Sequence, residues 1–189
     1  MKLIISFLAS FLMAASAYAG DFAVALGYRS NSADAVPSGW SSSSMAGYGV
    51  GAVGFFDFAP NWQARVGFLY NQRNTKISNA AGTGDLQLTA NYLDIPVTAM
   101  YRFADYGGVF LGPVIGLGAG QSCSASGTAS CAGLKNPESS IFGYQFGASF
   151  KFAPQLGAEI YYEAIPSEYW KDAEKNMKTV GLNLLITFE

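Results

Sequence analysis

Several stretches of the chain alternate between bulky apolar side chains and small or polar ones, residue by residue. From Trp62 to Tyr70 the even positions are Trp62, Ala64, Val66, Phe68 and Tyr70, against Gln63, Arg65, Gly67 and Leu69. From Phe142 to Phe152 every even position is apolar or aromatic, and the odd ones are Gly143, Gln145, Gly147, Ser149 and Lys151. Leu156, Ala158, Ile160, Tyr162 and Ala164 face away from Glu159 and Glu163. Val180, Leu182, Leu184, Ile186 and Phe188 oppose Thr179, Gly181, Asn183 and Thr187. A period of two is the signature of half-buried strands. No later segment offers a spanning helix. The best candidate, 107–120, is short, rich in glycine and interrupted by Pro113, although Gly112, Gly116 and Gly120 have a small-xxx-small spacing.

The pattern predicts eight strands, at about 21–30, 45–57, 61–74, 86–102, 108–121, 139–152, 155–165 and 176–188. The fourth is the least regular. Leu93, Ile95, Val97, Ala99 and Tyr101 share one face, whereas Leu86, Leu88 and Ala90 fall on the other parity. A bulge near Tyr92, or a strand that rises beyond the membrane, would account for it. Connections alternate between long (31–44, 75–85, 122–138, 166–175) and tight, the tight ones at 57–60, 103–107 and 153–154. Phe58-Ala-Pro-Asn61 and Phe152-Ala-Pro-Gln155 echo each other, as two equivalent hairpins would.

The sizes of the side chains decide which face meets which solvent. A soluble barrel turns its apolar face inward, and a membrane barrel inverts this. Here the polar parity is crowded with glycines such as Gly49, Gly51, Gly67, Gly147 and Gly181, and the opposite parity carries the rings. An eight-stranded barrel has little interior room for so many rings, whereas lipid accepts them. The aromatics also gather at two levels. Phe58, Trp62, Phe103, Tyr106, Phe150, Phe152 and Phe188 lie beside tight turns or the chain end, and Tyr28, Tyr48, Tyr70, Phe142 and Tyr162 lie toward the long connections. Two such girdles mark two membrane interfaces. The predicted fold is an all-β, eight-stranded antiparallel up-and-down transmembrane β-barrel in the bacterial outer membrane.

Composition agrees. Half of the 189 residues are hydrophobic and 13% are charged, against about 25% in a typical soluble domain, which excludes disorder. A sixteen-stranded porin is excluded by length, at about 10 residues per strand. A net charge of −2 without a basic stripe gives no sign of nucleic-acid binding. The chain contains no histidine, which removes His-based triads, bases and metal sites. Lys2, the apolar run 3–15 and Ala17-Tyr18-Ala19 read as a secretory signal peptide, residues 1–19, with the barrel domain over 20–189. Export makes a Cys123–Cys131 disulfide the expected state of the two cysteines. Two sulfurs are too few for a metal site, and no cofactor is implied.

Arg65, Lys151, Glu159 and Glu163 share the lumen parity, with Arg29, Asp94 and Arg102 beside them. They are expected to pair as an internal ion network. The competing reading, that a residue simply reaches water at the rim, applies to Arg29, Arg102 and Glu163. A paired-carboxylate catalytic role for Glu159 and Glu163 is the other alternative. Trp40, Tyr169 and Trp170 are the candidates for contacts through the long loops, against simple packing on the barrel rim. The charge-alternating segment 168–175 reads as a solvated loop.

Asn91-Tyr-Leu-Asp-Ile-Pro-Val-Thr-Ala-Met-Tyr-Arg-Phe103 resembles the central strand of the PorT-like outer-membrane β-barrel family. Phe110-Leu-Gly-Pro-Val-Ile-Gly-Leu-Gly118 resembles the Gly-Pro-x-x-Gly strand that follows it. The resemblance implies an outer-membrane barrel of the OmpA/OmpX size class and carries no shared catalytic set. One departure is that Glu189 follows Phe188, where such chains usually end on the aromatic read by the β-barrel assembly machinery.

The functional expectation is a non-catalytic integral barrel. Its polar interior is filled by side chains, and it anchors four long loops for a structural, adhesion or partner-contact role. Its partners are outer-membrane lipid, the assembly machinery during biogenesis and a surface partner. A soluble lipocalin-like carrier of an apolar ligand and a histidine-free outer-membrane hydrolase are the alternatives. The two solvents give different outcomes on a gel. The purified membrane fraction is expected to migrate differently boiled and unboiled. A soluble periplasmic protein with no shift would mean that the parity is reversed.

Overall fold

A computed structural model describes residues 21–35 and 38–188. The predicted signal peptide lies outside the described residues. The strands are β1 (Asp21–Ala35), β2 (Trp40–Ala59), β3 (Trp62–Asn79), β4 (Gly84–Ala104), β5 (Gly107–Gly127), β6 (Ser140–Ala153), β7 (Leu156–Trp170) and β8 (Glu174–Phe188). Each pairs antiparallel with its neighbours, and β8 closes on β1 from Phe22↔Phe188 upward. Every tight turn joins its strands through about two residues, with Asn61 in the left-handed region at φ 64°. Asparagine tolerates that conformation through its short polar side chain.

The lipid-facing runs are 22–28, 48–58, 62–70, 93–103, 109–117, 142–152, 156–164 and 180–188. Their length suits a tilted spanning strand of about 9–11 residues. Phe58, Trp62, Tyr101, Phe103, Tyr106, Phe150, Phe152 and Phe188 are exposed at the turn end, and Tyr28, Tyr48, Tyr70, Phe142 and Tyr144 at the other. Trp62 stacks between Phe58 and Tyr101, at 6.4 and 5.2 Å between ring centroids. In an outer-membrane barrel the tight turns face the periplasm.

The long connections expected from sequence are mostly strand. Ser41↔Ser78 and Ser44↔Thr75 continue the β2–β3 ladder, and Gly84↔Gly127 continues β4–β5. Glu168↔Lys175 and Trp170↔Glu174 do so for β7–β8. Among the described residues only 128–139 remains a long connection. The reason lies on the inner face. Above the lipid the outward residues are polar, as at Ser30, Asn74, Lys76, Gln87 and Lys178. The inward ones include Ile77, Leu86, Leu88, Ala90, Ile165, Met177, Tyr169 and Trp170, which form one buried apolar cluster. Burial of that cluster offsets the ordering of serine- and glycine-rich arms that have little strand propensity of their own.

This upper storey also resolves the irregular fourth strand. Even residues of β4 point inward throughout, from Leu86 to Met100. The register does shift near Tyr92, but the extra residue lies on β5, where Asn91 opposes Gly120 and Tyr92 opposes Gly118. The strand keeps its parity, and the solvent outside it changes. The segment 168–175 is therefore not a solvated loop: Tyr169, Trp170, Ala173 and Glu174 are buried.

Glu174 sits in the upper storey, accepting hydrogen bonds from Thr75 Oγ1 at 2.5 Å and Ser42 Oγ at 2.9 Å. Burial raises its carboxyl above the usual range, and the two hydroxyl donors work against that shift. A pKa raised in the folded state adds stability below the unfolded value of about 4.3, which is lost as pH rises through the folded value. Glu174→Gln is therefore expected to stabilise the upper storey near pH 7.5 by about 1 kcal/mol, with the gain vanishing below about pH 4. Chemical denaturation of the two proteins at both pH values tests this.

Candidate functional site

The interior is charged from within the lipid-facing span up to the level where the outer surface passes from lipid to water. β3 points Arg65, Asn71 and Arg73 inward, β7 points Glu159, Tyr161 and Glu163, β4 points Asp94, and β1 points Arg29. Arg29, Arg65, Arg73, Asp94, Glu159 and Glu163 are each at most 2% exposed. Three guanidinium groups thus meet three carboxylates.

The deeper pair is Arg65–Glu159. Arg65 Nε donates to Oε1 at 2.7 Å and Nη2 to Oε2 at 2.6 Å, and Asn183 Nδ2 donates to Oε2 at 3.1 Å. Two parallel charge-assisted bonds fix the planes of both groups. The Arg65 guanidinium also lies 4.6 Å from the centroid of Phe110, a cation–π contact strengthened by the absence of water.

The upper group centres on Asp94 and Arg73. Arg73 Nη2 is 2.6 Å from Asp94 Oδ2, and its Nη1 is 2.5 Å from Glu163 Oε1. Asp94 Oδ2 also accepts from Asn71 Nδ2 at 2.5 Å, and Arg29 Nη1 lies 3.7 Å away. Arg29 Nη2 donates to the Tyr161 hydroxyl at 2.7 Å. Glycines make the room. A Cβ on Gly181 would lie 2.2 Å from Tyr161 Cζ, and one on Gly116 would lie 2.7 Å from Asp94 Oδ1. The glycine parity seen in the sequence is the space into which these long side chains fold.

Not every residue of the predicted network is here. The structure brings together Arg65, Asp94, Glu159 and Glu163, with Arg29. Arg102 lies apart, 37% exposed at the turn end, 3.7 Å from Asp57 Oδ1. Strand β4 carries it past the dry part of the lumen, so it sits at the rim. Lys151 is half-buried at the same mouth. Both line a shallow bowl of about 120 Å³, with Asp21, Asp105, Ser149 and Thr187. Arg73 was not expected in the network. It has the parity of Arg65, eight residues on, and that repeat was the available signal.

The interior is also less uniformly polar than expected. Below the ion pairs lie Phe55, Met100, Phe110 and Leu185, and Phe110 fits because its neighbour is Gly147. Of the contact candidates, Tyr169 is 0% and Trp170 2% exposed. They pack inside the upper storey and present no free surface. Trp40 is half-buried against the same cluster. Cys123 and Cys131 form the disulfide.

Arg65→Ala leaves Glu159 charged, buried and held only by Asn183. That loss is expected to cost about 3–5 kcal/mol. Replacing both partners with Met is expected to recover most of it, because no charge is then stranded. Urea unfolding in detergent micelles measures both, and unchanged stability of Arg65→Ala would remove it from the network.

The crystal structure of Ail, the attachment invasion locus protein of Yersinia pestis, in complex with the heparin analogue sucrose octasulfate, has the same fold. The TM-score is 0.52 at 13% identity, over 89% of this chain and 99% of that one. OprG from Pseudomonas aeruginosa gives a TM-score of 0.52 at 11% identity, over 90% and 95%. At these identities the likeness is one of fold. No curated protein matched the chain. The model of the outer membrane protein beta-barrel domain matches residues 4–188. The chain therefore belongs to the outer membrane protein beta-barrel domain family.

Proposed function

We propose that this barrel is a sealed, non-catalytic fixture of the outer membrane, whose work is done by the rigid wall it raises above the lipid. The observation that carries this reading is the balanced charge layer. Arg65 is locked to Glu159, and Arg73 to Asp94 and Glu163, with Arg29 3.7 Å from Asp94; an apolar cluster lies above and apolar side chains below.

The same contacts weigh against the hydrolase alternative. Glu159 is held by Arg65 and Asn183, and Glu163 by Arg73, both carboxylates being at most 2% exposed. A general base needs reach to water or substrate, and neither has it. The carrier alternative fails on location, because this is an outer-membrane barrel with its lumen filled.

Above the membrane the polar outer wall is the surface open to a partner, in an adhesion or structural role. Ail was crystallised with a polyanion analogue. Here Lys76, Lys135 and Lys171 are each paired with a carboxylate, Asp85, Asp172 and Glu138. The wall instead offers exposed uncharged residues on two arms, Ser41, Ser43 and Ser44 on one and Gln121, Ser122 and 124–127 on the other. Contact through these arms is the reading the charges support, and it replaces the three aromatic residues. Export by cleavage after Ala19, insertion by the assembly machinery and a PorT-like placement within the family, on Tyr92-Leu-Asp-Ile-Pro96, complete the proposal.

Two measurements test it together. Purified protein in planar bilayers is expected to give no steady conductance. Cells displaying it are expected to bind immobilised host or neighbour-cell surface protein more than cells without it. Persistent single-channel steps would overturn the sealed reading, and equal binding would overturn the contact role.

A further inference from the structure

The upper barrel wall has a gap between β5 and β7. β5 pairs with β4 up to Gly127 but with β6 only up to Leu117. β6 begins at Ser140, and its pairing with β7 stops at Tyr144↔Ala164, although β7 runs on to Trp170. Above the lipid, then, no strand bridges β5 to β7. The segment 128–139 crosses that gap and stands in for the missing strand.

It is attached to β5, to β7 and, through Thr128 N and Oγ1 donating to Thr83 O at 2.9 and 3.1 Å, to the β3–β4 turn. On the β5 side are the Cys123–Cys131 disulfide, Gly118 N donating to Ser139 O at 2.8 Å, and Gln121 Nε2 donating to Asn136 Oδ1 at 2.6 Å. On the β7 side, Trp170 Nε1 donates to Lys135 O at 2.6 Å, and Glu138 N donates to Tyr169 O at 3.1 Å. Lys135 pairs with Asp172 at 2.6 Å. From across the lumen, Tyr92 OH donates to Glu138 O at 2.6 Å.

The segment covers much and buries little of itself. No residue from 128 to 139 is buried, yet Tyr92, Ile141, Ile165, Tyr169 and Trp170 lie behind it. Its own apolar contribution is Ala129, Cys131 and Leu134, each half-buried. The neighbouring β4–β5 ladder runs on to Gly84↔Gly127, whereas here a single bridge, Pro137↔Trp170, is present. Gly127 and Gly133 stand in the left-handed region, at φ 65° and 82°. Gly133 has open space around it, so the backbone can swing there without a clash. Few buried contacts and exposed hydrogen bonds are what make a segment open locally before the rest.

We propose that 128–139 is a strap over a side window in the upper barrel, and that the Cys123–Cys131 disulfide is its latch. With the latch closed, the strap seals the apolar cluster from the exterior. An external dithiol that takes up the latch gives two cysteine thiols here and one disulfide on the reductant, a transfer of two electrons and two protons. The strap then swings on Gly133, while Thr128 stays held to Thr83, and the window exposes an apolar cleft lined by Tyr92, Ile141, Ile165 and Trp170. The cleft admits a small apolar molecule.

The test uses the folded barrel in detergent micelles, oxidised and after dithiothreitol, with the Cys123→Ser/Cys131→Ser protein as a second form without the latch. Trypsin cleavage after Lys135, uptake of an apolar fluorescent dye and the boiled-versus-unboiled gel shift are read on each. Opening the latch is expected to speed cleavage after Lys135 at least tenfold and to raise dye fluorescence, with the gel shift unchanged and the other lysines still resistant. Equal cleavage and dye signal in all forms would overturn the proposal. Loss of the gel shift on reduction would overturn it too, because the disulfide would then fasten the whole barrel and not the strap.

Discussion

Everything in this molecule depends on the ring of backbone hydrogen bonds closing between β1 and β8. In lipid an unpaired N–H or C=O costs several kcal/mol and has no water to turn to. Phe22↔Phe188 through Asn31↔Thr179 remove both edges at once. Closure at eight strands fixes the radius, and the radius fixes what the inside can hold. The lumen is narrow enough to be filled by side chains and too wide to be filled by backbone alone. Long side chains from opposite walls therefore have to meet.

That requirement explains the glycines better than flexibility does. Tyr161 lies where a Cβ on Gly181 would be, Asn71 where one on Gly49 would be, and Phe110 against Gly147. Each of these three inward groups is matched with a neighbour that has no side chain. The buried ion pairs follow the same logic. A guanidinium that spans the lumen can reach a carboxylate several strands away, as Arg65 on β3 reaches Glu159 on β7. Such a pair contributes less to net stability than its geometry suggests, because desolvation offsets most of the attraction. Its larger effect is to hold the walls in one register.

The spanning half of the fold was legible because its two solvents leave opposite marks on alternate residues. Trp62, Phe68 and Tyr70 against Arg65 and Gly67 could be read directly, and so could the lumen parity of Glu159 and Glu163. The upper storey was not legible. There the apolar residues switch to the inward parity, as at Leu86 and Leu88, while the outward ones are Ser, Asn and Gln, the usual composition of loops. A period-two signal with its sign reversed looks like an interruption unless the change of outer solvent is taken into account. Tyr169 and Trp170 were misplaced for the same reason, since aromatics beside Lys171 and Asp172 look like loop residues. Arg102 was misplaced differently: parity gives direction but not depth, and depth decides whether a cation is sealed in or reaches water.

The charge layer has a consequence for how the barrel comes together. Arg29 on β1 is completed by Tyr161, 132 residues later, and Arg73 by Glu163, 90 residues later. No hairpin contains both halves of either contact. A sheet of four or five strands can pair Arg73 with Asp94 but holds Arg65 without Glu159, in a place where a lone charge is expensive. The layer is therefore completed only when β7 arrives. It makes assembly cooperative across the whole chain, in a topology whose neighbouring hairpins could otherwise add one at a time.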